Sequence, residues 1–146
     1  LVRPVHSKIP LDSFNDLQRD GIKKIVIGNP KTVPAGRYAE EVLRYVHLWD
    51  RIKDKLIFAE HVRQGLDYVA RGEVDAGLVY STDAMVRSKE IKIVMKAQEE
   101  SNTPILYPMG LVKGTKNEKL AKSFLTFVAS EDGKRTLRKF GFETVK

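Results

Sequence analysis

The sequence predicts an α/β fold built on a mostly parallel sheet with helices on both faces. Two observations carry the prediction. Short apolar runs at residues 25–27, 56–59 and 76–80 are too brief for buried helices and read as buried strands. Between them, apolar residues recur at helical spacing, each stretch presenting one stripe. Repeated strand–helix alternation requires crossover connections, and these place parallel strands side by side under helices.

Taken in order, residues 2–5 begin as a strand, and Asp12 or Ser13 can cap a short helix that turns Phe14 and Leu17 inward and stops at Gly21. Ile25, Val26 and Ile27 form the next strand. Pro30 and Pro34 hold off continuous helix until about Arg37, after which Tyr38, Val42, Tyr45, Val46 and Trp49 make one stripe. Residues 56–59 form the second buried strand, followed by a helix from about Val62 with Leu66, Val69 and Ala70 on one face and Gly72 at its end. A third buried strand spans 76–80, a helical turn spans 84–87 behind Ser81, Thr82 or Asp83, and a further strand spans 91–95. Beyond Pro104 the segment 105–112 is extended and interrupted by Pro108, which suits a crossing or an edge. Lys116 and Asn117 open a helix striped by Leu120, Ala121, Phe124, Leu125 and Val128. Ser130 caps a last one that carries Leu137 and Phe140 and ends at Gly141.

The chain of 146 residues is long enough for a useful core. It begins at Leu1 without a methionine, which suggests a processed or excised piece, and shows neither a signal peptide nor an apolar run of membrane-spanning length. With no cysteine, disulfides, thiolate catalysis and thiolate metal sites are excluded. The formal charge is +7, and residues 113–146 hold nine of the 26 Lys and Arg but four of the 19 Asp and Glu. Lys119, Lys122, Lys134, Arg135, Arg138 and Lys139 fall on polar helix faces without interleaved exposed aromatics. They read as a solvated surface, and no nucleic-acid partner is expected.

The chemistry gathers at three loops. In parallel sheets ligands collect at the carboxyl ends of the strands, so residues 28–36, 60–62 and 80–83 should meet at one edge. The first, within GNPKTVPAGRY, delivers the small pair Ala35 and Gly36 to a helix start, where unpaired N–H groups and partial positive charge can seat an anion. Val62 stands at a second helix start and the Tyr80 hydroxyl at a strand end. For each there is a bland alternative: an ordinary turn, a packing valine, a core tyrosine. Arg37 and Arg63 can steer anions from outside or stand solvated.

No nucleophile elbow, Walker loop or GxGxxG turn is present. His6, His47 and His61 lack ligand spacing, so no metal is expected to be held directly by the protein, and the adjacent pairs Glu40–Glu41 and Glu99–Glu100 point apart on regular structure. An enzyme is not expected.

The blocks NPKTVPAGRYAEEVL, AEHVRQGLDYVARGEVDAGLVYSTDA and YPMGLVKGTKN…AKSFLTFVASEDGKRTLRKFGF resemble the periplasmic molybdate-binding proteins of bacterial ABC transporters over nearly the whole chain. The resemblance implies a two-lobed type II solute-binding protein that closes on tetrahedral molybdate or tungstate and passes it to a membrane permease, in the periplasm or otherwise outside the cytoplasm, with no cofactor. Carried across by motif, the ligands are the backbone N–H groups of Ala35 in PAG and Val62 in HVR and the hydroxyl of Tyr80 in LVYSTDA, with Gly36 beside them. The related archaeal pattern, in which carboxylates complete a six-coordinate metal, is not matched.

The family also has an N-terminal half-lobe whose small hydroxylated residues hold the other side of the oxyanion, and no such segment stands in this sequence. By the same resemblance, residues 1–5 are an interlobe crossing, 6–103 a complete second lobe, 104–110 the return crossing and 111–146 helices of the incomplete first lobe. The expected function is therefore oxyanion binding by a truncated fragment with half a cleft, hence weak. The stripe at Leu120, Phe124, Leu125 and Val128 should lack its cover, with self-association through it as one consequence. The alternative is an interaction or sensory module that keeps the fold without tight oxyanion binding.

Overall fold

A computed structural model describes residues 1–144, which fall into two compact units, Leu1–Pro104 and a second beginning at Ile105. The first unit runs β1 (Val2–Pro4), a 3₁₀ turn (Phe14–Gln18), β2 (Ile25–Gly28), α1 (Pro34–Tyr45), α2 (Trp49–Ile52), β3 (Leu56–Ala59), α3 (Val62–Ala70), β4 (Ala76–Gly77), α4 (Ser81–Val86) and β5 (Ile91–Ile93). The five strands make one sheet in the order β3-β2-β4-β1-β5.

β2 pairs in parallel with β3 on one side and β4 on the other, as alternation requires. β1 runs antiparallel between β4 and β5, which makes the sheet mixed. Sequence alternation could not show this: β1 is not reached by a crossover helix, so nothing obliges it to run with its neighbours.

The sheet separates two apolar layers, and the pleat assigns residues to them. Ile25 and Ile27 join Phe14, Leu17, Ile22, Ala39, Val42, Leu43, Leu48 and Ile52 on one face. Val26 faces the other way, with Ala59, Leu66, Val69, Val74, Ala84 and Ile91. Each aliphatic side chain removed from water here contributes about 1.5–3 kcal/mol before entropy is counted.

Several element boundaries differ from expectation, each for a local reason. α1 starts at Pro34 rather than near Arg37: proline at the first helical position loses no hydrogen bond, and its fixed φ suits the helix. The stripe that α1 buries is Ala35, Ala39, Val42 and Leu43, while Tyr45 is exposed. Trp49 belongs to a separate short helix, because His47 takes a left-handed φ of 57° and turns the chain. The third strand keeps only Ala76 and Gly77 in the ladder, with Leu78 N–H adding a bond to the Val26 carbonyl, so the chain leaves the sheet before Tyr80. The fifth stops at Ile93, and the first at Pro4. The 3₁₀ turn closes at Gln18, three residues before the expected stop at Gly21, and α4 begins at Ser81 instead of 84.

Gly28 and Gly36 are a contact pair. A Cβ on Gly36 would lie 2.1 Å from the Gly28 carbonyl oxygen, so the first turn of α1 rests directly on the end of β2.

In the second unit, residues 105–112 take neither helix nor strand, and α5 (Glu118–Ala129) is followed by α6 (Glu131–Lys139). Ser130 Oγ accepts from Gly133 N–H at 3.3 Å and caps α6. A Cβ on Gly133 would meet the Val128 and Phe127 carbonyls, so the two helices meet backbone to backbone. Gly141, at φ 84°, terminates α6. Leu120, Phe124, Phe127 and Phe140 are exposed.

Candidate anion site

The ends of β2, β3 and β4 bring the three loops together. The β2–β3 register runs to its last pair, Gly28 with Ala59, and Asn29 N–H donates to the Ala59 carbonyl at 2.8 Å, so the loops after both strands leave side by side. On the other flank Leu78 N–H bonds the Val26 carbonyl at 3.0 Å, which carries the following residues past the end of β2. There the Tyr80 ring lies 6.5 Å from that of Tyr38 on α1, tilted by 58°. Ala35, Gly36, Val62 and Tyr80 thus share one sheet edge.

A donor census of α1 isolates one group. The Asn29 carbonyl takes Thr32 and Val33 N–H, and the Asn29 side chain takes Lys31 N–H, fixing the loop. Pro34 has no N–H. Gly36 and Arg37 N–H both donate to the Val33 carbonyl, at 2.9 and 3.2 Å. The Ala35 N–H has no acceptor among the described residues, although Ala35 is buried. A first-turn amide has no intrahelical acceptor, so this N–H is open to a bound one. The Gly36 N–H is used within the turn, and its small size answers to the close approach of Gly28.

At α3 the cap does similar sorting. His61 Nδ1 accepts from Gln64 N–H at 3.1 Å, Gln64 Oε1 accepts from Glu60 N–H at 2.7 Å, and the His61 carbonyl takes Gly65 N–H. Among the described residues no acceptor is bonded to the N–H of Val62 or Arg63. Tyr80 is half-buried and is the N-cap of α4.

The nearby charges are partly absorbed. Arg37 is exposed, with its guanidinium 5.2 Å from the Tyr38 ring centroid and 3.9 Å from Glu41. Asp83, in the first turn of α4, was legible only as a helix cap. Its carboxyl is pushed up by burial, an effect opposed by the positive charge of Arg63. Among the described residues no group of three or more His, Cys, Asp or Glu is placed to hold a metal ion.

A parallel-strand edge with amide donors at two helix starts is the kind of edge on which α/β folds seat a ligand. The chain matches the bacterial extracellular solute-binding protein family over residues 1–143 and belongs to that family. It is 44% identical over 142 residues to YvgL of Bacillus subtilis, assigned as an ABC transporter substrate-binding lipoprotein, covering 97% of this chain and 54% of that protein. It is 42% identical over 116 residues to the molybdate-binding protein ModA of Haemophilus influenzae, covering 80% and 45%. Among solved structures, the substrate-binding domain assigned to a molybdenum ABC transporter of Clostridium difficile superposes with a TM-score of 0.89 at 39% identity, over 99% of this chain and 62% of that one. The periplasmic molybdate-binding protein of Azotobacter vinelandii superposes at 0.77 with 20% identity, covering 99% and 64%, and shares the fold. The chain spans about half the length of the curated relatives it matches.

Proposed function

We propose that this chain binds a tetrahedral dianion, molybdate or tungstate, as part of an extracytoplasmic solute-binding protein that serves an ABC permease, and that it carries out no catalysis. The observation that supports this most directly is the Ala35 N–H, which has no acceptor among the described residues, at an edge shared with Val62 N–H and Tyr80. In this reading Ala35 and Val62 donate from the main chain, Tyr80 donates its hydroxyl, and Gly36 lets α1 come close enough to aim the Ala35 amide. Neutral donors suit a cargo that must be released, since they desolvate an anion without binding it to a fixed countercharge. Residues 6–103 act as the second lobe, 1–5 and 104–110 as crossings, and 111–146 as helices of the first.

The test is calorimetric titration of molybdate, tungstate and sulfate into the chain and into Tyr80→Phe. Loss of one hydrogen bond to a charged group should weaken molybdate by roughly ten-fold or more. Equal affinities in the two proteins would remove Tyr80 from the site. A second reading, an interaction module, is favoured by the exposed Leu120 and Phe124 of α5; it requires that neither protein respond to any oxyanion.

A further inference from the structure

The loop that leads into Val62 is tied down by one side chain. Gln64, the third residue of α3, accepts the Glu60 N–H on Oε1 at 2.7 Å and donates from Nε2 to the Tyr68 hydroxyl at 3.1 Å. Tyr68 lies one turn further along the same helix face and packs against the apolar layer that holds Val26, Ala59 and Leu66. The Gln64 N–H donates in its turn to His61 Nδ1 at 3.1 Å. Residues 60 and 61 are thus both bonded to Gln64, and the rings so closed enclose the His61–Val62 peptide, which carries the Val62 N–H. Neither bond uses the amides of Val62 or Arg63, because the cap reaches the third position of the helix and leaves the first two open. At α1 the opposite holds: its start is seated by main chain, through the Asn29 carbonyl and the contact of Gly36 with Gly28.

We propose that Gln64 is a positioning residue of the anion site: bonded to the Glu60 amide on one side and to Tyr68 on the other, it holds the Val62 N–H on its aim before the ligand arrives. This rests on the oxyanion reading above, with Val62 as a donor. A donor on a loose loop has to be ordered by the anion itself, and the entropy lost in fixing that backbone weakens binding. With the lock in place the ordering is complete in the folded chain, so the amide acts at full strength. Gln64 and Tyr68 are neutral, so the effect is geometric and does not depend on screening.

The experiment compares the parent with Gln64→Met, which keeps the length of the side chain without its amide, by calorimetry with molybdate and by the NMR shifts of the Val62 and Ala35 amides during the titration. Gln64→Met should weaken molybdate by about five-fold, part of the cost of ordering one residue, and by the same factor at low and high salt. The ligand-induced shift should shrink at Val62 and stay at Ala35, whose loop is held by main chain. Tyr68→Phe removes only the far anchor and should weaken binding by about two-fold. His61→Ala should weaken binding too, whereas His61→Asn, which restores a strong cap, should stay within about two-fold of the parent. Unchanged affinity in Gln64→Met, or shifts that shrink equally at both amides, would overturn the inference, and a Tyr80→Phe variant that still weakens molybdate would leave the site reading standing. A Val62 amide that ignores molybdate in the parent removes Val62 from the site and the inference with it. A parent that answers to no oxyanion overturns both.

Discussion

In the first unit α1 lays Ala35, Ala39, Val42 and Leu43 on the sheet, and all four are buried. In the second unit α5 has the same helical spacing of apolar residues, yet Leu120 and Phe124 are 71% and 63% exposed and no residue of that helix is buried. The difference teaches that periodicity specifies a face and not its cover. An amphipathic stripe contributes to stability only where a second apolar surface meets it, and in the first unit the strands supply that surface. The substitution with the largest expected effect tests this directly. Leu43→Ala, at a fully buried position, should cost about 2–5 kcal/mol in urea unfolding. A loss below 1 kcal/mol would mean that the α1–sheet layer is not the cohesive core described above.

The contrast also holds for glycine. Gly36→Ala places a methyl group against the Gly28 carbonyl, where only backbone movement can relieve it, and should cost about 3 kcal/mol through displacement of α1. Gly110, in the second unit, has nothing within 4 Å of a Cβ, so Gly110→Ala should stay within about 0.5 kcal/mol of the parent. Equal midpoints for the two variants would show that α1 can slide off β2 at little cost. Because the same movement would carry the Ala35 amide away, Gly36→Ala also serves as an indirect probe of the site.

These residues show what was readable beforehand and what was not. Strand–helix alternation sufficed to bring Ala35, Val62 and Tyr80 to one edge, because crossover handedness leaves little choice. Gly36 was singled out by its place in PAG, but its physical cause is the approach to Gly28, a contact that no local pattern records. The antiparallel entry of β1 depends on where the chain comes from, and Tyr45 loses its core place to Leu43 because helix rotation is fixed by the whole sheet.

Carboxylates sharpen the comparison next. Asp16 is buried, accepts from the N–H groups of Asp12 and Ser13, both at 2.9 Å, and pairs with Arg19 at 2.8 Å. Its carboxyl is held below the usual range, first by the Asp12 N–H, then by the Ser13 bonds and Arg19, with desolvation opposing. A depressed folded pKa means stability that is present above the unfolded value and lost as pH falls through the folded one. Asp16→Asn should therefore lower the urea midpoint at pH 7, and the gap to the parent should close progressively as the pH drops below about 4. In the second unit Glu118 and Lys122 pair at 2.6 Å with both side chains exposed, and Glu118→Gln at pH 7 should stay within about 0.5 kcal/mol of the parent. Parallel pH profiles for the parent and Asp16→Asn would contradict the hydrogen-bonded role.

The smallest effect on stability falls at Phe124, and its smallness carries the argument. A side chain already in water loses little on truncation, so Phe124→Ser should leave the unfolding midpoint of the first unit unchanged within about 0.5 kcal/mol. What should change is association: removing Phe124 from beside Leu120 breaks an exposed apolar surface of the kind that recruits a cover. Sedimentation velocity should then show less concentration-dependent self-association in Phe124→Ser than in the parent. A midpoint lowered by as much as in Leu43→Ala would mean that α5 is covered after all, and the contrast between the two units would fail.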